Sequence, residues 1–162
     1  MSKEDVYKSV RIPLNQKTID ALVERELSFL EGLVDDTKKN TISIITDALT
    51  KGESPDIVKK RLMEQGFDST RAESIARTEM MYALNEGAKA EYKSSDINFV
   101  EWSITEDEIT CTDTTLFLPD GSEVDGCAGM SGKIFNVDNT PDMPGHPRCR
   151  CSWLPSEGPE NW

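Results

Sequence analysis

The amino-acid sequence predicts an α+β fold, with N-terminal helices followed by a small β-rich module. Before residue 96, apolar side chains recur in steps of three and four, the spacing that places them on one face of a helix. After residue 97, short apolar runs alternate with turns rich in proline, glycine and aspartate, a pattern typical of strands. All four cysteines and the single histidine of the 162-residue chain also lie in its last third.

The helical region is expected over residues 16–96, behind a flexible lead-in at residues 1–15. Its first apolar stripe extends from Ile19 to Leu49 in steps of three and four. The stripe thins over residues 35–40, so this segment is either one long helix or two helices with a break. Because the stripe is longer than so small a protein needs for its own core, we expect part of it to contact a partner or a second copy.

Two further helices are predicted downstream. Ser54 and Pro55 mark a start, because serine caps a helix N-terminus and proline fits the first turn, and Gly66 marks the end. A third helix is predicted from residue 68 or 69 to about residue 93. Glu79 lies on or beside the apolar face of this helix, which is an unusual position for a carboxylate.

The small β-rich module is expected over residues 97–156, with residues 157–162 as a tail. Apolar and β-branched runs predict strands at residues 99–104, 133–137 and 149–154. A module with three short strands and long loops buries little apolar surface. Units of fewer than about 70 residues usually need a covalent or metal staple to be stable.

The candidate staple is a set of five potential zinc ligands, Cys111, Cys127, His146, Cys149 and Cys151. His146 and Cys149 are three residues apart, so one tight turn could direct both at a single ion, and thiolate and imidazole are preferred zinc ligands. Cys149 and Cys151 alternate along a predicted strand and would face the same way. Because structural zinc takes four ligands, we expect one Zn²⁺ per chain and one of the five residues outside its shell. The predicted fold is thus an α+β protein with a metal-stapled module.

Two other interpretations of these cysteines remain open. A disulfide between Cys111 and Cys127 could close a loop, whereas Cys149 and Cys151 are at the limit of disulfide geometry if both lie in one strand. The start of the chain has no apolar signal segment, so we expect the protein to begin in a reducing cytoplasm, where disulfides are rare. The four thiols could also be inert core residues.

No apolar run approaches 18 residues, so no membrane span is expected.

Charge is distributed unevenly along the chain. The net charge is −12, and residues 97–162 carry 12 acidic against 3 basic side chains. A DNA-contacting surface needs clustered lysine and arginine to displace counterions from phosphate. The C-terminal module is therefore not expected to contact DNA.

Five short motifs follow one another along the chain. Two lie in the third predicted helix, and the other three lie in the β-rich module. They are residues 71–79 with Arg77 and Glu79, residues 83–87 with Asn85, the set Trp102, Asp107 and Cys111, the run at residues 132–135, and the run at residues 145–151 with Arg150. In this order they resemble the motifs of the phage Mu F-like minor head, or head morphogenesis, family, and the likeness covers about residues 40–155. The closing run, similar to the family's HPxCRC motif, is the most specific of them.

One departure from the family pattern concerns the metal ligands. Family members commonly carry their first two cysteines as CxxC, whereas fifteen residues separate Cys111 from Cys127 here. The separating run contains Pro119, Asp120 and Gly121, which are typical turn residues. We expect it to form a hairpin-like insertion between the two ligands.

The resemblance implies a minor head protein that acts at the portal during procapsid assembly in the host cytoplasm and is carried in the virion. Its expected partners are portal and capsid proteins, with self-association through the N-terminal helices as a further possibility.

A non-enzymatic role is favoured, because Arg77 and Glu79 diverge by about 200° around a helix and do not converge as a catalytic pair. Glu79 would instead tie the helix to the β-module through a charge-assisted bond, for example to Arg150.

Two other functions are compatible with the same residues. A metal-dependent hydrolase would use a Cys/His zinc site with three protein ligands and a water, and Glu79 or Asp107 as general base. A host-directed effector would bind a cellular protein. The number of protein ligands on the metal separates the structural role from the hydrolytic one.

Overall fold

The computed structural model describes residues 33–105 and 111–159 of the chain. The predicted lead-in, the first half of the apolar stripe, Asp107 and the last three residues of the tail lie outside the described residues.

Three helices make up the first part of the described chain. They are α1 (Asp35–Lys51), α2 (Pro55–Glu64) and α3 (Ser69–Ser94). Residues 35–40, where a break is one of the two predicted alternatives, are helical, and α1 begins directly after the non-helical residues 33–34. The start of α3 is confirmed by its cap, since the Asp68 carboxylate accepts a hydrogen bond from the backbone N–H of Arg71. Ser54 occupies the N-cap position of α2, but its side chain makes no capping hydrogen bond.

The three helices pack around one apolar core. Its fully buried members include Ile45 of α1, Leu62 of α2 and Ile75 of α3, each 0 % exposed. Burying each such side chain stabilises the fold by roughly 1.5–3 kcal/mol. The stripe over residues 33–50 therefore serves this internal core in part. Leu84 of α3 lies outside this core and is 38 % exposed.

The second part of the chain contains five short strands and one short helix. Strands β1 (Phe99–Ser103), β4 (Ile134–Asn136) and β5 (Ser152–Ser156) form an antiparallel sheet in the order β4–β1–β5. Strands β2 (Thr115–Phe117) and β3 (Glu123–Asp125) form the hairpin expected between the first two cysteines. The short helix α4 (Gly126–Met130) follows that hairpin directly.

A second apolar core joins the sheet to the C-terminal half of α3. Trp102 of β1 and Trp153 of β5 are paired in register, and their rings meet edge to face with centroids 5.2 Å apart. Ala88 and Tyr92 of α3 pack in the same core, and the Tyr92 hydroxyl donates to the carbonyl of Trp153 at 3.1 Å. Helix α3 thus contributes to both cores of the molecule.

The α+β prediction is confirmed, with helices first and a strand-containing region that carries the Cys/His cluster. The third strand was placed too early, because it begins at Ser152 rather than at residue 149. Cys149 and Cys151 therefore precede the strand instead of alternating along it. Within the described part of the chain, no helix combines the length and the apolar character needed to cross a membrane.

Candidate metal centre

Three segments bring the predicted ligands together. Cys111 lies just before the β2–β3 hairpin, and Cys127 lies in α4 just after it. His146, Cys149 and Cys151 come from the loop that leads into β5. The insertion that separates the first two cysteines in sequence is closed at its base, so it does not separate them in space.

Gly126 allows the two ends of the hairpin to approach so closely. Its φ of +60° lies in the left-handed region, and a Cβ at this position would lie 2.3 Å from the carbonyl oxygen of Cys111. The same carbonyl accepts from the N–H of Ala128 at 3.3 Å, and the Cys111 sulfur accepts from the N–H of Cys127 at 3.5 Å. A side chain at Gly126 would push Cys111 away from Cys127.

A tight turn orients the histidine. The N–H of Cys149 donates to the carbonyl of His146 at 3.2 Å and closes the turn. The Nδ1 of His146 lies 2.8 Å from the carbonyl oxygen of Pro147, which can only accept, so Nδ1 is the protonated nitrogen. In the neutral ring Nε2 is then a bare acceptor, which is the form that binds a metal. It lies 3.1 Å from the sulfur of Cys127.

The five side chains fall into two groups of three that share Cys127. The outer group consists of Cys111, Cys127 and His146, and the inner group of Cys127, Cys149 and Cys151. Within each group the ligand atoms lie within 4.8 Å of one another. All members of the inner group are buried, whereas Cys111 and His146 are half-buried. The two Sγ atoms of Cys127 and Cys149 are 3.8 Å apart, and all four cysteines are free thiols.

The crowding of the inner thiols perturbs their ionisation. The hydrogen bond from Cys127, followed by that from Cys151, holds the pKa of the Cys149 thiol well below its usual range. The same hydrogen bond to Cys149 raises the pKa of Cys127, because its proton is held between the two sulfurs. A bound cation would favour the ionised form of every one of these thiols.

Helix α3 fixes the loop that carries the last three ligands. The side-chain amide of Asn85 donates to the carbonyl of Cys151 at 3.2 Å, and its oxygen accepts from the N–H of Trp153 at 2.9 Å. Two turns earlier in α3, the Thr78 hydroxyl accepts a hydrogen bond from the N–H of Arg148 at 3.1 Å. Arg148, which has a positive φ of 61°, also donates from Nε to Ser74 at 3.0 Å. Side chains of the helix therefore hold the backbone of the ligand loop at its middle and at its C-terminal end.

This attachment differs in part from the one expected at Glu79. Glu79 is 0 % exposed, as its place on the apolar face predicted, and its bond to Arg150 stays a prediction. Asn85, which the family-like motif singled out, makes the observed connection. Thr78 and Arg148 were not predicted, although Thr78 stands within the motif at residues 71–79.

The remaining motif residues have other roles. Arg77 is half-exposed and donates to Glu73 at 3.3 Å, away from the cysteines. Trp102 is a core residue with no exposed surface. Asp107 lies outside the described residues, so its prediction stays open.

A small cavity opens beside the ligands. Its volume is about 20 Å³, which is enough for about one water molecule. The lining residues are Ile104, Thr105, Cys111, Cys127, His146, Arg148, Arg150 and Cys151. Among the described residues, no carboxylate lines this cavity.

The geometry defines a Cys/His cluster that could hold a metal ion. No protein-family model, curated protein or solved structure matches this chain. The motifs and the cluster itself are therefore the observations that bear on the class of this protein.

Proposed function

We propose that this protein is a minor head protein of a phage of the Mu F-like kind, which acts in capsid assembly at the portal and is held in shape by a structural zinc site. The observation that carries the proposal is the cluster of Cys111, Cys127, His146, Cys149 and Cys151. All of these residues except Cys127 come from two motifs that resemble those of that family, and the five converge although up to forty residues separate them. The proposed function is supported by that resemblance, and the proposed zinc site is supported by the geometry of the cluster.

The donor set fits zinc. A tetrahedral ion with Zn–S bonds of about 2.3 Å requires sulfurs about 3.8 Å apart. The Cys127–Cys149 separation of 3.8 Å meets this requirement. The bare Nε2 of His146, held by its Nδ1–H bond to Pro147, supplies an imidazole donor with fixed orientation.

A structural role for the metal is favoured over hydrolysis. A hydrolase needs room for a substrate and a placed general base. The adjoining cavity, at about 20 Å³, is far below the roughly 300 Å³ of a usual ligand pocket. Both groups of ligands are also fixed by backbone contacts to α3 and α4, as expected of a staple.

The contact with the portal is assigned to the N-terminal helices. Val34, at the start of α1, is 71 % exposed, and an open groove of about 450 Å³ runs beside the same helix. The groove is lined by Lys39, Ile42, Ser43, Thr46 and Asp47. In this proposal, Val34 and the groove form the described part of the portal contact.

Co-purification with the portal protein of the same phage tests the proposed function. The wild-type chain should be retained by the portal and detected by mass spectrometry in purified heads. Replacing the exposed Val34 by aspartate should weaken retention without loss of zinc. Absence of the chain from purified heads, together with no retention by the portal, would overturn the assignment to capsid assembly.

A further inference from the structure

The cluster contains more donors than one tetrahedral ion can use. A single structural zinc takes four ligands, which would leave one of the five side chains without a role. Among the described residues, however, the donors do not form one group of four. They form the outer and inner groups of three, which have only Cys127 in common.

Cys127 lies close to a donor of each group. Its sulfur lies 3.1 Å from Nε2 of His146 in the outer group and 3.8 Å from the sulfur of Cys149 in the inner group. A thiolate has several lone pairs and can bind two cations at once. The position of Cys127 at the end of the hairpin, between the two groups, is that of a bridging ligand.

We propose that this cluster binds two zinc ions per chain, bridged by the thiolate of Cys127. The outer ion is held by Cys111, Cys127 and His146, and the inner ion by Cys127, Cys149 and Cys151. This inference rests on the proposed zinc site and extends it from one ion to two. It gives every one of the five donors a role.

Charge balance favours the pair of ions. Four thiolates and a neutral imidazole carry a charge of −4, which two divalent cations neutralise. One zinc with the same four thiolates would leave an uncompensated negative charge among buried residues, and burying such a charge is unfavourable. A neutral cluster can be enclosed by the core around Trp102 and Trp153.

The cavity beside the outer group completes its coordination. Cys111 and His146 face a space of about 20 Å³, which accommodates one water molecule. That water would supply the fourth ligand of the outer ion. Cys127 and Cys151 of the inner group line the same cavity, so a water there that bridges the two ions would also be the fourth ligand of the inner ion. The three inner sulfurs form a soft donor set suited to zinc or to cadmium.

Counting ions in the full chain tests the inference. The purified protein is saturated with Zn²⁺, freed of excess metal and weighed by native and denaturing mass spectrometry, and the measurement is repeated with Cd²⁺. Two ions per chain are expected. One ion would overturn the bridged pair but leave the zinc site standing, whereas a metal-free folded protein would overturn the zinc site itself.

Two matched variants distinguish a bridged pair from a second ion bound elsewhere. Cys111→Ser removes a donor from the outer group alone, and Cys151→Ser removes one from the inner group alone. Each variant should retain one ion and a native near-ultraviolet spectrum from its buried tryptophans. A second ion held by surface carboxylates would survive in both variants, and that result would overturn the proposal. Should either variant fail to fold, the wild-type count still decides between one ion and two.

Discussion

Asn85 is the residue whose replacement should most directly detach the ligand loop from the helical part of the molecule. Its side chain is 3 % exposed and makes two long-range hydrogen bonds, to the carbonyl of Cys151 and from the N–H of Trp153. Asn85→Ala removes both and leaves two buried backbone groups without these partners. An orphaned buried group costs about 1–3 kcal/mol, so the variant should lose about 2–6 kcal/mol of stability.

Urea unfolding at constant saturating zinc, followed by tryptophan fluorescence, measures this loss. Trp102 and Trp153 are buried beside the loop and should report on its release. Asn139→Ala is the matched control, because Asn139 is exposed and its replacement should change stability by less than about 0.5 kcal/mol. Equal stability of the two variants would refute the role assigned to Asn85.

Three further predictions follow from the same contacts and charges. Gly126→Ala should destabilise the protein by more than the roughly 1–2 kcal/mol that a left-handed alanine costs and should weaken zinc binding in a competition titration. Gly132→Ala, which has a similar φ of +74° and no neighbour within 4 Å, should show only the backbone cost, and equal effects of the two would count against the close approach to Cys111. The hydrogen bond from Lys59 holds the pKa of the Glu73 carboxyl below its ordinary value of 4.5, so its stabilisation is present above that value and is lost as the pH falls through the lower folded pKa. Thermal melts of Lys59→Met should therefore depend less on pH in the acid range, and an unchanged dependence would contradict this. DNA binding at physiological salt should be weak in fluorescence anisotropy, because residues 97–162 carry 12 acidic against 3 basic side chains, and sub-micromolar binding by these residues would contradict the charge argument.

The helices could be predicted from the sequence because local residues determine their ends. Asp68 caps α3 with its own side chain, and Pro55 occupies the first turn of α2. The hairpin was also foreseeable, since Pro119, Asp120 and Gly121 can turn the chain without help from distant residues. In each case the structural preference lies within a few residues of the element.

The path of the ligand loop could not be predicted in the same way. Alternation placed Cys149 and Cys151 on a strand, but Arg148 adopts a positive φ and is held by Thr78 and Ser74, which lie 70 and 74 residues away in sequence. Short helix α4 was missed for a similar reason, because glycine disfavours helix and its start depends on contact with Cys111. The identities of the five ligands were visible in the sequence, whereas their division into two groups depends on the tertiary fold.

Helix α3 links the unfolding of the two apolar cores. Its 26 residues span about 39 Å, and its first half lies in the helical core while its second half lies in the core of the sheet. Neither core can lose this helix without exposing the other, so both should melt in one cooperative transition. Metal bound by the ligand loop, which is attached to α3 at Ser74, Thr78 and Asn85, should therefore stabilise both cores together.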